Sequence, residues 1–409
     1  MQTLPFVPFS QPDVGEDEIH EVSAVLRSGW VTTGPRTAEF ERKFGKYAGA
    51  QYSQAVSSCT AALHLALVGL GIGPGDEVIT TPLTFCATVN VILEAGATPV
   101  LADIGPDLNI DPAAVRRAIT TRTRAILPVH MAGLPCKMDA IWTLAGQHGL
   151  RVVEDAAHAA GAEYQGVRIG GTGFTTESPG PRSSDAVAFS FYATKNMTTG
   201  EGGMVTTGSA ELYERMRILC LHGINRDAWS RYSENGSWYY EVVECGFKYN
   251  MSDIMAAVGL VQLRRLEIMQ ARRAEIARRY NAAFAEVPEV EMPPEREDCR
   301  HAWHLYVLRL NLARLGIDRA RFFDEMKRRG IGCSVHFIPI PLHPYYKRML
   351  EVRDPCTRAL SEYPRLVSLP LYSKMTDEEV ERVIGAVKDV VTRYKLRQTA
   401  DLTAETQRR

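Results

Sequence analysis

Four short segments of the 409-residue chain carry side chains whose types and spacing can do chemistry. The first, Ser57-Ser58-Cys59-Thr60, leads straight into the largely apolar run 61–67. Hydroxyl side chains at the head of a helix accept from its free N–H groups, and the same N–H groups and helix dipole suit a phosphate. A plain helix cap and a phosphate seat are both open readings of this segment. The second is Thr84-Phe85, just beyond a strand candidate, where an aromatic ring either joins the core or stacks on a planar ligand. The third is Val152-Val153-Glu154-Asp155 with His158 three residues on. An aspartate at the carboxyl end of a buried strand sits where open α/β sheets bind ligands, and a buried carboxylate needs a cationic partner. A helix-capping aspartate and a structural histidine are the alternatives. The fourth runs from Phe189 through Ser190, Thr194 and Lys195 to Gly200, Gly202 and Gly203. A lysine enclosed there loses its charge readily, and only the neutral amine attacks a carbonyl.

In chain order these segments offer a phosphate cradle, a stacking ring, a strand-end acid and an enclosed amine. Pyridoxal 5′-phosphate (PLP) asks for that set: a lysine to carry its aldehyde, an acid to keep its ring nitrogen protonated, and a helix head for its phosphate.

The elements that must position them follow from hydrophobic patterning. Apolar runs at 77–81, 99–103, 124–128, 151–155, 186–190 and 203–207 read as buried strands. Helical patterns at 60–70, 88–95 and 112–119 lie between them. Strands alternating with helices predict a mostly parallel sheet covered on both faces. Residues 166–184, rich in Gly, Ser, Thr and Pro, read as a surface loop. Ile254, Val258, Val261, Leu263 and Leu266 open one long helical pattern that continues to about residue 286. A smaller α+β unit follows, ending in a polar tail at 396–409.

Composition narrows the partners. Lys plus Arg number 47 and Asp plus Glu 48, so the net charge is −1 and no nucleic-acid or membrane-surface partner is expected. The eight cysteines contain no CxxC pair, which speaks against a zinc site or a disulfide framework. No metal site is expected. Without a signal sequence or an apolar run of membrane-spanning length, a cytoplasmic protein is expected. A dinucleotide enzyme is a rival on sheet pattern alone, but neither glycine cluster completes G-x-G-x-x-G: Pro74 follows Gly69 and Gly71, and Thr176 follows Gly171 and Gly173. A PLP-binding sensor without turnover is the rival from another class.

From Val7 to about Val391 the chain resembles the DegT/DnrJ/EryC1/StrS family of PLP-dependent sugar aminotransferases. The likeness rests on Ser28-Gly-Trp-Val-Thr-Thr-Gly-Pro35, Glu154-Asp-Ala-Ala-His158, Ser190-Phe-Tyr-Ala-Thr-Lys-Asn196, Gly200-Glu-Gly-Gly203, Leu221-His-Gly-Ile-Asn-Arg226, Lys248-Tyr-Asn-Met-Ser-Asp253 and Ser334-Val-His-Phe-Ile-Pro339. The resemblance implies an α/β architecture of fold type I, like aspartate aminotransferase. It implies a large three-layer PLP domain over 1–262, a small α+β domain over 263–395 and a flexible tail. It makes Lys195 the lysine that carries the cofactor and shuttles protons, and Asp155 the partner of the ring nitrogen. Phe85 would stack on the ring and His158 would sit beside its hydroxyl. Thr60, Ser190 and the Cys59 and Ala61 backbone would hold the phosphate. Asn250 would reach the phosphate of a neighbouring subunit, so that a homodimer shares its active sites. The implied substrates are L-glutamate, returning 2-oxoglutarate, and a nucleotide-linked keto-sugar. His222, Arg226 and His336 are candidates for substrate contacts. Cys59 departs from the family pattern, which often has Gly there. The retained Lys195 favours transamination over deoxygenation.

Overall fold

A computed structural model describes residues 5–172, 183–225, 239–351 and 353–396. Its centre is a seven-stranded sheet. The strands in chain order are β1 (Tyr52–Val56), β2 (Glu77–Thr80), β3 (Thr98–Leu101), β4 (Thr123–Leu127) and β5 (Arg151–Asp155). Two minor strands, β6 (Glu163–Tyr164) and β7 (Val167–Arg168), precede β8 (Ala186–Ser190) and β9 (Gly203–Thr207). The spatial order is β1-β9-β8-β5-β4-β2-β3. Only β9 runs against the rest, because residues 191–202 return directly to the sheet without a helical crossover. In this register Gly203 pairs with both Ser190 and Val56, and Asp155 pairs with Ala188. The carboxyl ends of β1, β5 and β8 therefore lie side by side.

Side chains alternate between two apolar layers, as strands covered on both faces require. Ile79, Ile126, Val152 and Phe189 face Phe40, Phe44 and Trp142. Val78, Leu127, Val153 and Ala188 face Leu63, Leu67 and Met216. Helices α1 (Glu16–Ser28), α2 (Pro35–Ala48), α3 (Cys59–Gly69) and α4 (Cys86–Glu94) surround this sheet. Leu63, His64, Leu65, Ala66 and Leu67 are all buried, so α3 has no polar face over these turns. Ser58 caps it, its Oγ accepting from Ala61 N–H at 3.1 Å.

One helix, Asp253–Phe284, joins this core to a second one. Its residues up to Met269 pack on the sheet, whereas Ile276, Ala277, Tyr280 and Phe284 belong to a separate cluster with Phe322, Val383 and Val387. The boundary expected at 262/263 thus falls within a continuous helix, and the change of core comes between Met269 and Ile276. The second core covers a three-stranded antiparallel sheet of β10 (Val290–Glu291), β12 (Tyr306–Leu310) and β13 (Leu366–Leu369), while β11 (Cys299–Arg300) pairs with β6. Val7 bridges Ile331 and packs into the second core, so the first described residues join the small unit rather than the large one. Among the described residues no helix is long and apolar enough to cross a membrane. Of the expected 166–184 loop, Val167–Arg168 forms the strand β7, while residues 173–182 and the tail beyond Leu396 lie outside the described residues.

Candidate active site

A cavity of about 540 Å³ opens at the carboxyl edge of the large sheet. It collects side chains from all four chemically suggestive segments: Cys59 and Thr60, Phe85, Asp155 with His158, and Ser190 with Lys195. The topology explains the gathering. β5 ends in Asp155 and β8 in Ser190, the helix head 59–60 follows β1, and Lys195 rides on the connection between β8 and β9. Gly203 lets these parts touch: a Cβ there would lie 2.6 Å from the Ser58 carbonyl carbon and 2.7 Å from the Cys59 nitrogen.

Asp155 is buried, and desolvation raises its carboxyl above the usual carboxylate range. Two neutral donors oppose that rise: Thr88 Oγ1 donates to Oδ2 at 2.8 Å, and Ala157 N–H donates to Oδ1 at 3.1 Å. Since the Thr88 hydroxyl gives its hydrogen to Asp155, Thr84 Oγ1 must be the donor in the 2.8 Å contact between the two threonines. Lys195 is half-buried in the cavity wall, and desolvation there brings its amine down to about 8. The charge of Asp155 acts the other way but does not cancel the burial. His158, also buried, is pushed well below the usual imidazole range by desolvation, and its Nδ1 has no partner.

The wall opposite comes from the small unit. His304, Leu305, His336, Phe337 and Leu371 line it, and Phe9 from the opening segment joins them. His336 Nδ1 is 2.8 Å from Ser368 Oγ, and burial brings that imidazole down to about 4. Phe85 is 60% exposed at the mouth, its ring 6.0 Å from that of Phe337.

Other expected residues are placed differently. Ala61 does not line the cavity, and its N–H donates to Ser58 Oγ. His222 is exposed away from the cavity, tied by its backbone N–H to Phe247 O, so it makes no contact with this site within one chain. Arg226 lies outside the described residues. Asn250 does not line the cavity of its own chain. It bridges Val56, and its Nδ2 donates to Thr33 Oγ1 at 2.6 Å. Sequence reasoning gave no site role to Thr88, His304 or Phe337. Thr88 sits one turn into the helix behind Phe85, a detectable signal, whereas His304 has no local motif.

Comparison with known proteins decides what kind of site this is. The model of the DegT/DnrJ/EryC1/StrS aminotransferase family matches residues 12–388. The chain belongs to that family. SpsC, a spore coat polysaccharide biosynthesis protein of Bacillus subtilis, is 51% identical over 389 residues, or 94% of this chain and 97% of that protein. The putative sugar aminotransferase Spr1654 of Streptococcus pneumoniae, in its PMP form, is 36% identical with a TM-score of 0.86. Its PLP form is 35% identical with a TM-score of 0.85, and each match covers 95% of this chain and 99% of that one. PseC of Helicobacter pylori, an aminotransferase of pseudoaminic acid biosynthesis, is 29% identical with a TM-score of 0.86, covering 95% of this chain and all of that one. The DegT-family chain described here is a PLP-dependent sugar aminotransferase of fold type I.

Proposed function

We propose that this sugar aminotransferase moves an amino group from L-glutamate to a nucleotide-linked keto-sugar, working through PLP seated in the 540 Å³ cavity. The observation that carries the reading is a half-buried lysine with a lowered pKa and a buried aspartate lining one cavity at the sheet's carboxyl edge. The residues fit the cofactor. Asp155 accepts hydrogen bonds only from neutral donors, so a protonated ring nitrogen would supply the cationic donor it lacks. The unpartnered Nδ1 of His158 leaves a place for a polar group of the ring. The first N–H groups of α3, at Cys59 and Thr60, have no partner within the helix and suit the phosphate, with the hydroxyls of Thr60 and Ser190 beside them. Phe85 stands open to cover one ring face.

When bound, PLP supplies an electron sink for the carbon that loses its proton. The chain handles protons and position. The amine of Lys195, at about 8, has a usable neutral fraction near pH 7, so it can take a proton from the donor and return it to the acceptor. Asp155 keeps the ring nitrogen protonated throughout. Glu201 and Tyr192 also border the cavity, and Asn250 of a second subunit would reach the phosphate in a homodimer. The position of Asn250 outside its own cavity, next to the strand that leads into the phosphate seat, supports that sharing.

The test is direct. PLP-loaded protein mixed with L-glutamate and a panel of nucleotide-linked keto-sugars should release 2-oxoglutarate in step with aminated sugar. Failure of loaded protein to aminate any nucleotide-linked sugar, while accepting free sugars, overturns the substrate reading.

A further inference from the structure

His304 adjoins Lys195 in space but not in sequence, and its surroundings fix its chemistry. It is 5% exposed and lines the cavity. Its ring lies against that of His158, centroids 4.4 Å apart, and His158 is also stacked with Phe337 at 5.8 Å and 18°. Its Nδ1 is 3.0 Å from Oδ1 of Asn196, the residue after the cavity lysine.

The polarity of that contact follows from where the chain of amides ends. Asn196 Nδ2 donates to Ala302 O at 2.6 Å and to Gln270 Oε1 at 2.7 Å. Gln270 Nε2 in turn donates to Ala160 O at 3.2 Å. Main-chain carbonyls only accept, so turning either amide over would set oxygen against oxygen. Asn196 must therefore present its oxygen to His304, and His304 must carry its hydrogen on Nδ1. The neutral ring then keeps a lone pair on Nε2. Space for the chain of amides has been kept clear: Gly161 has φ +86°, and a Cβ there would fall 2.8 Å from Gln270 Nε2.

We propose that His304 is a positioning residue of the transamination reaction, its tautomer locked by Asn196 and Gln270, so that a neutral ring of fixed orientation holds His158 flat against Phe337 beside Lys195. The consequence for cofactor chemistry rests on the PLP seat proposed above, but the tautomer does not. The charged and titratable groups around His304 are His158, Lys195, Arg273 and His336, and with burial they all disfavour its protonation. Arg273 Nη1 also donates to the His304 carbonyl at 3.3 Å.

Nitrogen-15 NMR of histidine-labelled, cofactor-free protein tests the lock without any turnover. The His304 signal, assigned by its loss in His304→Gln, should show hydrogen on Nδ1. Asn196→Leu, which removes the acceptor, should move that hydrogen to Nε2. Gln270→Glu should leave it on Nδ1, because a carboxylate still accepts from Asn196. Hydrogen on Nε2 in the parent protein, or no change in Asn196→Leu, overturns the lock. In PLP-loaded protein, Asn196→Leu should shift the pH midpoint of the cofactor's visible band by about half a unit or more. It should lower kcat about tenfold with little change in KM. A lower Tm with an unmoved midpoint would make Asn196 merely structural and overturn the positioning role. Should Asn196→Leu not fold, the parent tautomer and the midpoint in His304→Gln decide the matter: a midpoint equal to the parent's overturns it.

Discussion

The two sides of the cavity are built by different means. On the large-sheet side, every working group sits at the carboxyl end of a strand or in the turn that follows it: Asp155 on β5, Ser190 on β8, Thr60 after β1, Phe85 after β2. That side carries the lysine, the aspartate and the hydroxyls. The opposite side, from Leu305, His336, Phe337 and Leu371, is apolar or neutral, and burial keeps its imidazoles uncharged. Proton transfer and anchoring therefore belong to one side, shape and exclusion of water to the other. Substitutions on the first should strike kcat, and those at Leu305, His336, Phe337 and Leu371 should strike KM, His304 standing apart because it positions a ring beside Lys195.

The largest expected effect is from Lys195→Ala, which should cut turnover by about 10⁴-fold or more and remove the cofactor's visible band while the fold persists. An unaltered band would reassign the lysine. Asp155→Asn should come next, retaining PLP but losing about 10²–10³-fold in kcat because the ring nitrogen is no longer held protonated. Thr88→Val removes one hydrogen bond to that carboxylate, worth roughly 1.5 kcal/mol, and so about tenfold in kcat. A fall as deep as that of Asp155→Asn would show Thr88 doing more than supporting it. Across the cavity, Phe337→Leu should raise KM for the sugar a few-fold with kcat within about twofold. A kcat loss larger than that of Thr88→Val would erase the contrast between the sides.

A further effect is on stability rather than on turnover. The folded, cofactor-free protein holds the Lys195 amine at about 8 against an ordinary 10.5. Below about pH 8 the amine is protonated in both states and its burial destabilises the fold in full. Between about 8 and 10.5 the unfolded chain binds the extra proton, so stability contributed at this position rises with pH. Cofactor-free Lys195→Met should thus exceed the parent by up to about 3 kcal/mol at pH 7, the gap closing by about pH 10.5. Denaturant titrations with parallel pH curves would contradict that.

Legibility in the sequence follows the same division. β5, β8 and β9 occupy the residues expected of them, because strands buried on both faces read as apolar runs bounded by turns. β1 went unread: Tyr52-Ser-Gln-Ala-Val56 is an edge strand whose buried Ser53 and Gln54 interrupt the apolar pattern. α1 and α2 were not anticipated either, although Pro35 and Gly49 mark the start and end of α2. Lys195 and Asp155 stood out because each lies within a short segment of telling composition. His304, 108 positions from Asn196, becomes meaningful only when the small unit folds against the large one. At Ala61, capping by Ser58 and phosphate binding draw on the same N–H group, and in this chain the cap holds it.

The antiparallel course of β9 has a further consequence. Ser190 and Gly203 are hydrogen-bonded neighbours, so the twelve residues between them form a closed ring bearing the amine, cross-tied from Phe191 to Thr199 and Gly202. Its circumference sets how far the nitrogen can reach. One added residue would lengthen that ring by up to about 3.8 Å, more than a hydrogen bond spans, with no helix on the far edge to absorb the slack. This stretch is thus a fixed gauge within a protein whose other crossovers have room to grow.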